Sequence, residues 1–300
     1  MLRSKAKHRQ SKINPEKIPW FALVVTVIFV FFFILGIEEK QKHNVSAMKT
    51  PVRLAIKSIK FSLTDRKFVA YQQSVPILMY HHVRNYDEPR DPINTNLSVP
   101  TERFREQMAA LKNAGYQTIT LKNLFNKEIP DKPVIVTFDD GYWDVYDFAY
   151  PTMKENNQTG TIFVISGAIG AQGYMNKKEI QTMLDYGFEL GSHTVNHPNL
   201  DKTIKSGIEY QIKSSKEMLE KEFNRPVRYL CYPSGKYNQK VEEIVQTSGY
   251  KAAVTVNFKA TSNDLYAMPR VRVNNTDTAE SLLKKIEGFK KENDRFVWSY

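Results

Sequence analysis

The sequence predicts an α/β protein, a parallel sheet or barrel of alternating strands and helices, preceded by a single N-terminal transmembrane helix. Three observations lead there. From Ser74 onward, short apolar runs alternate with amphipathic helical patterns. The reactive polar clusters fall just after several of those runs. Ahead of Ser74 lies one uncharged apolar stretch, residues 20–37, WFALVVTVIFVFFFILGI.

That stretch, at 1.5 Å rise per residue, nearly spans a hydrocarbon core. Arg3, Lys5, Lys7, Arg9, Lys12 and Lys17 precede it against Glu16 alone. Positive charge on that side keeps residues 1–19 as a basic cytoplasmic tail and sends the rest outside. A cleaved signal peptide would have a shorter apolar run and a small-residue cleavage site. Gly36-Ile37-Glu38-Glu39 offers none, and Val45-Ser46-Ala47 is a weak one. Residues 20–37 are therefore expected to be an uncleaved, single-pass anchor in the cell membrane, with an extracellular domain at a bacterial cell surface. Residues 38–73 form a basic extracellular spacer, whose Lys and Arg could lie against anionic lipid or wall polymer. Residues 74–300 form the folded domain.

The formal charge of +11 sits almost entirely in the tail and the spacer, and everything from Ser74 onward is nearly neutral. A basic groove for nucleic acid is not indicated. Cys231 is the only cysteine, so no intramolecular disulfide can form. No internal repeat, low-complexity tract or obligate protein partner is evident.

Within the domain the strand candidates are Pro76–Tyr80, Gln117–Leu121, Val134–Phe138, Thr161–Ile165, Phe188–Leu190, Val227–Cys231 and Ala252–Val256. Helical patterns fall between them at Thr101–Asn113, Asp144–Glu155, Lys177–Tyr186, Ile204–Phe223 and Gln239–Thr247. Gly115, Gly187 and Gly249 stand just past three of these, as helix stops do. Repeated β-then-α units imply a parallel sheet or barrel. His81, Asp139-Asp140, His193 and Pro233-Ser234-Gly235 follow strand candidates. In a β/α barrel, that end of the strands builds the active site.

Thr137-Phe138-Asp139-Asp140-Gly141 ends an apolar strand in two carboxylates and a glycine. A tight turn is the plain reading of such residues. Two adjacent carboxylates can also diverge, one to a cation and one to a water. His193-Thr194-Val195-Asn196-His197 places two imidazoles at i, i+4, which on a helical turn lie on one side and can share a metal. One Asp with two His leaves a divalent ion open to water and substrate, the form of a catalytic site. The remaining carboxylate could then act as a base.

Thr137–Gly141 followed some fifty residues later by Ser192-His193-Thr194 and His197 resembles the polysaccharide deacetylase (NodB-like) superfamily, carbohydrate esterase family 4, over roughly residues 75–275. The resemblance implies a distorted, incomplete (β/α) barrel and one divalent ion, zinc first. It implies Asp139 as general base and Asp140, His193 and His197 as metal ligands. The third family motif departs: in Leu230-Cys231-Tyr232-Pro233-Ser234-Gly235, Cys231 stands where Arg is usual and Ser234 where Tyr is usual. No histidine follows His197 to serve as the usual acid. Leu78-Met79-Tyr80-His81-His82-Val83 and residues 138–151 instead resemble the branch that deacetylates biofilm poly-N-acetylglucosamine. His81 is then the expected acid and His82 a packing neighbour. Arg270, in Met268–Val273, is a candidate replacement for the missing arginine beside Asp139. Tyr142, Trp143 and Tyr232 could stack on sugar rings, with core packing expected of at least one, and a backbone N–H near Ser234 could help hold an oxyanion.

These readings imply metal-dependent release of acetate from N-acetylglucosamine units of a cell-surface glycan. Peptidoglycan, a glycan O-acetyl ester and, in another class, an inactive glycan-binding module are the alternatives. A binder has no need of Asp139, Asp140, His193 and His197 together.

Overall fold

The computed structural model describes residues 75–256 and 264–297. The expected tail, anchor and spacer lie outside these residues. Among the described residues, no helix is long and apolar enough to cross a membrane.

The main sheet is wholly parallel and nearly follows the chain. Strand β1 (Ile77–Tyr80) pairs with β5 (Pro133–Phe138), and β6 (Thr161–Val164), β7 (Glu189–Ser192), β8 (Tyr229–Cys231) and β9 (Ala252–Val254) follow side by side. β4 (Gln117–Ile119) pairs with the first half of β5. Ile135 pairs with Ile77 on one side and Ile119 on the other, so β4 occupies the edge that β6 takes over at Thr137. β2 (His82–Val83) and β3 (Ser98–Val99) form a separate two-stranded ladder. β10 (Val271–Arg272) joins the free edge of β1. The same segment begins at Met268, which bridges Val254 of β9. Residues 268–272 thus touch both ends of the sheet, which curls into a distorted (β/α) barrel.

Strand parity divides the apolar residues into two layers. Leu78, Tyr80, Val136, Phe138, Ile162, Leu190 and Leu230 face the helices. Ile77, Ile135, Phe163, Tyr229, Cys231 and Val254 fill the inside. Each fully buried side chain of this size contributes about 1.5–3 kcal/mol. Inside, Gly191 lets β7 approach the Phe163 ring, since a Cβ there would sit 2.4 Å from a ring carbon. The inward phase carried past the strand ends reaches His81 from β1, Asp139 from β5 and His193 from β7.

The helices cover the outer layer through one face each. Thr101–Asn113 presents Phe104, Met108 and Leu111 and stops before Gly115, whose φ is +79°. Lys177–Tyr186 starts on a capping box of Asn176 and Glu179. Gln239–Thr247 is capped by Asn238. The helix expected over Asp144–Glu155 opens instead with a π-helical turn, Val145–Ala149. The one expected from Ile204 to Phe223 is broken by another, Tyr210–Ser214. An extra residue in a turn does not disturb apolar spacing enough to show in the sequence. Helix Ala279–Val297, absent from the sequence reading, packs Leu282, Ile286 and Phe289 into the outer layer.

Glu189 opens β7 on the inner face, far from the reactive strand ends. Burial pushes its carboxyl up to about 7, against the Lys122 backbone N–H and the Arg228 charge. An unfolded glutamate titrates near ~4.3, so the folded chain binds the proton more tightly between those values. Stability therefore falls as pH rises from ~4.3 through about 7 and stays lower above it. Glu189→Gln should remove this slope. Its melting temperature should exceed wild type at pH 8 and approach it at pH 5, a difference on the order of 1–3 kcal/mol in denaturant titrations.

Candidate active site

Asp139 is the first residue beyond β5, tied to β1 by its N–H to Tyr80 O at 2.9 Å. Its carboxylate is buried and takes a two-pronged bond from Arg270, Nη1 to Oδ1 and Nη2 to Oδ2, each 2.7 Å. Arg270 is itself fully buried and also donates to Thr137 Oγ1 at 3.0 Å and Thr255 O at 3.2 Å. Burial pushes the Asp139 carboxyl up, but the Arg270 guanidinium overrides it and holds the group well below the usual carboxylate range. Cys231 Sγ lies 3.1 Å from Arg270 Nη2 and 3.5 Å from Asp139 Oδ2. His81 Nε2 lies 3.8 Å from the same oxygen, with its side chain 15% exposed. Burial lowers the His81 pKa, while Asp139 and Asp140 pull it back.

Asp140 turns away through a left-handed backbone, φ 70°. Its Oδ1 is 3.4 Å from His193 Nε2 and 3.5 Å from His197 Nε2. Burial raises this carboxyl too, and His193 outweighs it, leaving the pKa lowered. A zinc ion bound at about 2.0–2.1 Å in tetrahedral geometry would have ligand atoms about 3.4 Å apart, so the three donors fit such an ion. His193 Nδ1–H donates to Cys231 O at 2.8 Å, which keeps the proton on Nδ1 and turns Nε2 toward Asp140. Asp139, His193 and Cys231 also lie close together. The Arg270 guanidinium occupies that side, and a second cation there would be repelled.

The histidine pair does not ride a helical turn as expected. Residues 193–197 form an irregular loop with left-handed Thr194 (φ 68°) and His197 (φ 58°). Both rings still converge, because the loop is pinned. His197 N–H donates to Thr194 Oγ1, and Gln211 Oε1 accepts from Val195 N–H at 3.0 Å and Asn196 N–H at 2.9 Å. Gln211 reaches the loop from the π-helical turn, so periodicity alone could not reveal it.

Of the residues offered for sugar stacking, Tyr232 must be corrected. It is 0% exposed and stacked on Tyr237 at 4.6 Å, so it belongs to the core and offers no face. Tyr142 is packed against His82 at 3.6 Å and Tyr174 at 5.3 Å. Trp143 is 39% exposed, edge-on to Phe148. Ser234 is exposed in a tight turn at φ 53°, where Gly235 and Lys236 N–H bond within the turn to Tyr232 O and Pro233 O. His82 is buried, with Nδ1 2.6 Å from Asp144 Oδ2.

The polysaccharide deacetylase family matches residues 126–253. A poly-beta-1,6-N-acetyl-D-glucosamine N-deacetylase of Staphylococcus epidermidis is 30% identical over 256 residues, 76% of this chain and 88% of that protein. The Streptococcus pyogenes deacetylase PplD, solved with acetate, superposes with a TM-score of 0.65 at 32% identity, covering 71% of this chain and 97% of that one. BC0361, a polysaccharide deacetylase from Bacillus cereus, gives 0.64 at 30% identity, covering 71% and 68%.

Removing one member of a buried ion pair strands the other charge and costs about 3–5 kcal/mol. Arg270→Met should lose about that much in urea unfolding. The double variant Arg270→Met/Asp139→Asn should recover part of it. If the two losses simply add, the pair is not coupled as drawn.

Proposed function

Because the chain belongs to the polysaccharide deacetylase family, carbohydrate esterase family 4, we propose that it hydrolyses N-acetyl groups on a polymer of N-acetylglucosamine, poly-β-1,6-linked first, releasing acetate. The observation that carries the reading is the single cluster formed by His81, Asp139 and the Asp140–His193–His197 trio. The acid-capable histidine comes from the first strand, ahead of the other motifs, and the S. epidermidis relative named for that polymer aligns along 76% of the chain.

Asp140, His193 and His197 would hold one divalent ion, zinc first. When bound, it supplies Lewis acidity toward an acetamide carbonyl and toward water. Asp139 Oδ2 accepts a proton from the attacking water. Arg270 keeps that carboxylate ionised in a buried site and, by weakening it as a base, prevents it from retaining the proton. His81 Nε2, 3.8 Å away, takes the proton on and delivers it to the departing amine nitrogen. One water is consumed, the C–N bond breaks, and acetate and a free amine leave. Trp143, exposed beside the motif, would offer an apolar face to a sugar ring. Residues 20–37 would hold the domain at the outer face of the cell membrane.

The test is acetate release by the purified chain in detergent, with poly-N-acetylglucosamine and peptidoglycan side by side. The polymer should be the better substrate. Asp139→Asn and His81→Ala should each cost about 10²–10⁴ in turnover, and a chelator should abolish it until zinc is restored. Undiminished turnover after chelation or in Asp139→Asn overturns the mechanism. Preference for peptidoglycan, or for an O-acetyl ester, overturns the substrate.

A further inference from the structure

The loop that carries His197 is irregular, so its backbone polar groups must find partners one by one. Thr194 N–H donates to Ser192 Oγ at 3.3 Å, and His197 N–H to Thr194 Oγ1 at 3.0 Å. Thr194 O accepts from Ser166 N–H and Val195 O from Gly167 N–H, both at 3.0 Å. Those partners lie in the loop, its own strand or the neighbouring turn. The N–H groups of Val195 and Asn196 instead go to one atom, Gln211 Oε1, at 3.0 and 2.9 Å. Gln211 reaches in from the helix layer, and its side chain is buried.

The π-helical turn Tyr210–Ser214 that delivers Gln211 is itself held in place. The buried Tyr250 hydroxyl donates to Ile212 O at 3.0 Å. Ser215, the first residue past the turn, pairs its Oγ with Ser192 Oγ at 2.8 Å, and both serines are fully buried. Ser192 is the residue before His193, so the turn is fastened to the strand that carries the first histidine. Single π turns interrupt a helix at a cost and recur at functional sites. The two histidines depend on this turn unequally. His193 is fixed by the sheet, with N–H to Val164 O at 2.9 Å and Nδ1–H to Cys231 O at 2.8 Å. His197 sits at the end of the loop with its side chain 35% exposed. Its placement runs through two left-handed residues, Thr194 and itself, a backbone that persists only where surrounding bonds impose it.

We propose that Gln211 is a positioning residue for the cation site: by accepting the Val195 and Asn196 N–H bonds on one oxygen it fixes the loop, and through the loop the ring of His197 beside Asp140 and His193. The inference rests on reading Asp140, His193 and His197 as that site. It makes His197 the ligand whose hold is set from the helix layer, while His193 is held from the sheet.

The test is the zinc dissociation constant of the full chain in detergent, measured by competition with a chromogenic chelator after stripping, together with the visible spectrum of the cobalt-loaded protein. Gln211→Met keeps the bulk of the side chain and removes the acceptor. It should weaken zinc by about 10–100-fold, the usual effect of losing a group that orients a ligand, and alter the cobalt spectrum. Gln211→Glu keeps an accepting oxygen and should bind within about threefold of wild type, with the wild-type spectrum. Gln211→Asn, whose amide stops one carbon short, should fall between them. If Gln211→Met does not fold, the contrast between Gln211→Asn and Gln211→Glu carries the test. Zinc held as tightly by Gln211→Met or Gln211→Asn as by wild type shows the positioning role wrong while the site stands. A Gln211→Glu variant as weak as Gln211→Met also overturns the role, since the accepting oxygen is then not what matters. If wild type itself binds no zinc, the reading of the site falls and the role with it. If Gln211→Met lowers the melting temperature and leaves dissociation constant and spectrum alone, Gln211 serves folding only and the proposal is overturned.

Discussion

The interaction on which the rest depends is the buried pair of Arg270 and Asp139. Neither charge could be kept away from water alone, since an isolated ion in an apolar interior costs many kcal/mol. Two parallel N–H···O bonds of 2.7 Å solve that problem together. Thr137, Thr255 and Cys231 satisfy what remains of the guanidinium. The pair also ties β5 to the segment that spans from β9 to β1, so the curl of the sheet and the ionisation of one carboxylate are a single constraint.

Around that constraint the neighbouring carboxylates are given separate work by backbone geometry alone. Asp139 keeps the inward phase of its strand and meets a guanidinium. Asp140 enters the left-handed region at φ 70° and meets two imidazoles. Identical side chains one bond apart therefore live in different electrostatic surroundings. Cys231 links them, its thiol beside Arg270 and Asp139 and its carbonyl on His193. A small side chain at that position leaves room for an arginine that arrives from a different strand.

The strands, and the helices at Thr101–Asn113, Lys177–Tyr186 and Gln239–Thr247, were legible because their signals are local: alternating or continuous apolar runs, and glycines where helices stop. The clustered acids and histidines were legible for the same reason, through short motif spacing. Other features were not. Whether His193 and His197 converge depends on Gln211 reaching back from a π-helical turn. The ladder of β2 and β3 has two residues in each strand, too few for a pattern. Tyr232 sits beside a motif and reads as a surface aromatic, yet its strand parity sends it into the helix layer. The bracing of Tyr142 by His82 and Asp144 joins residues 60 or more apart in the chain, which no local pattern carries.

The closing segment, residues 268–272, has a kinetic meaning as well. Asp139 and Arg270 are 131 residues apart, and contacts of such separation are made late, because loop closure must precede them. Until the last strand docks, the Asp139 carboxylate has no guanidinium beside it and the barrel has an open seam. Completion of the fold and pairing of the buried carboxylate are then the same event. A chain emerging stepwise, or one clipped before Met268, is left with Asp139 buried and its charge unpaired.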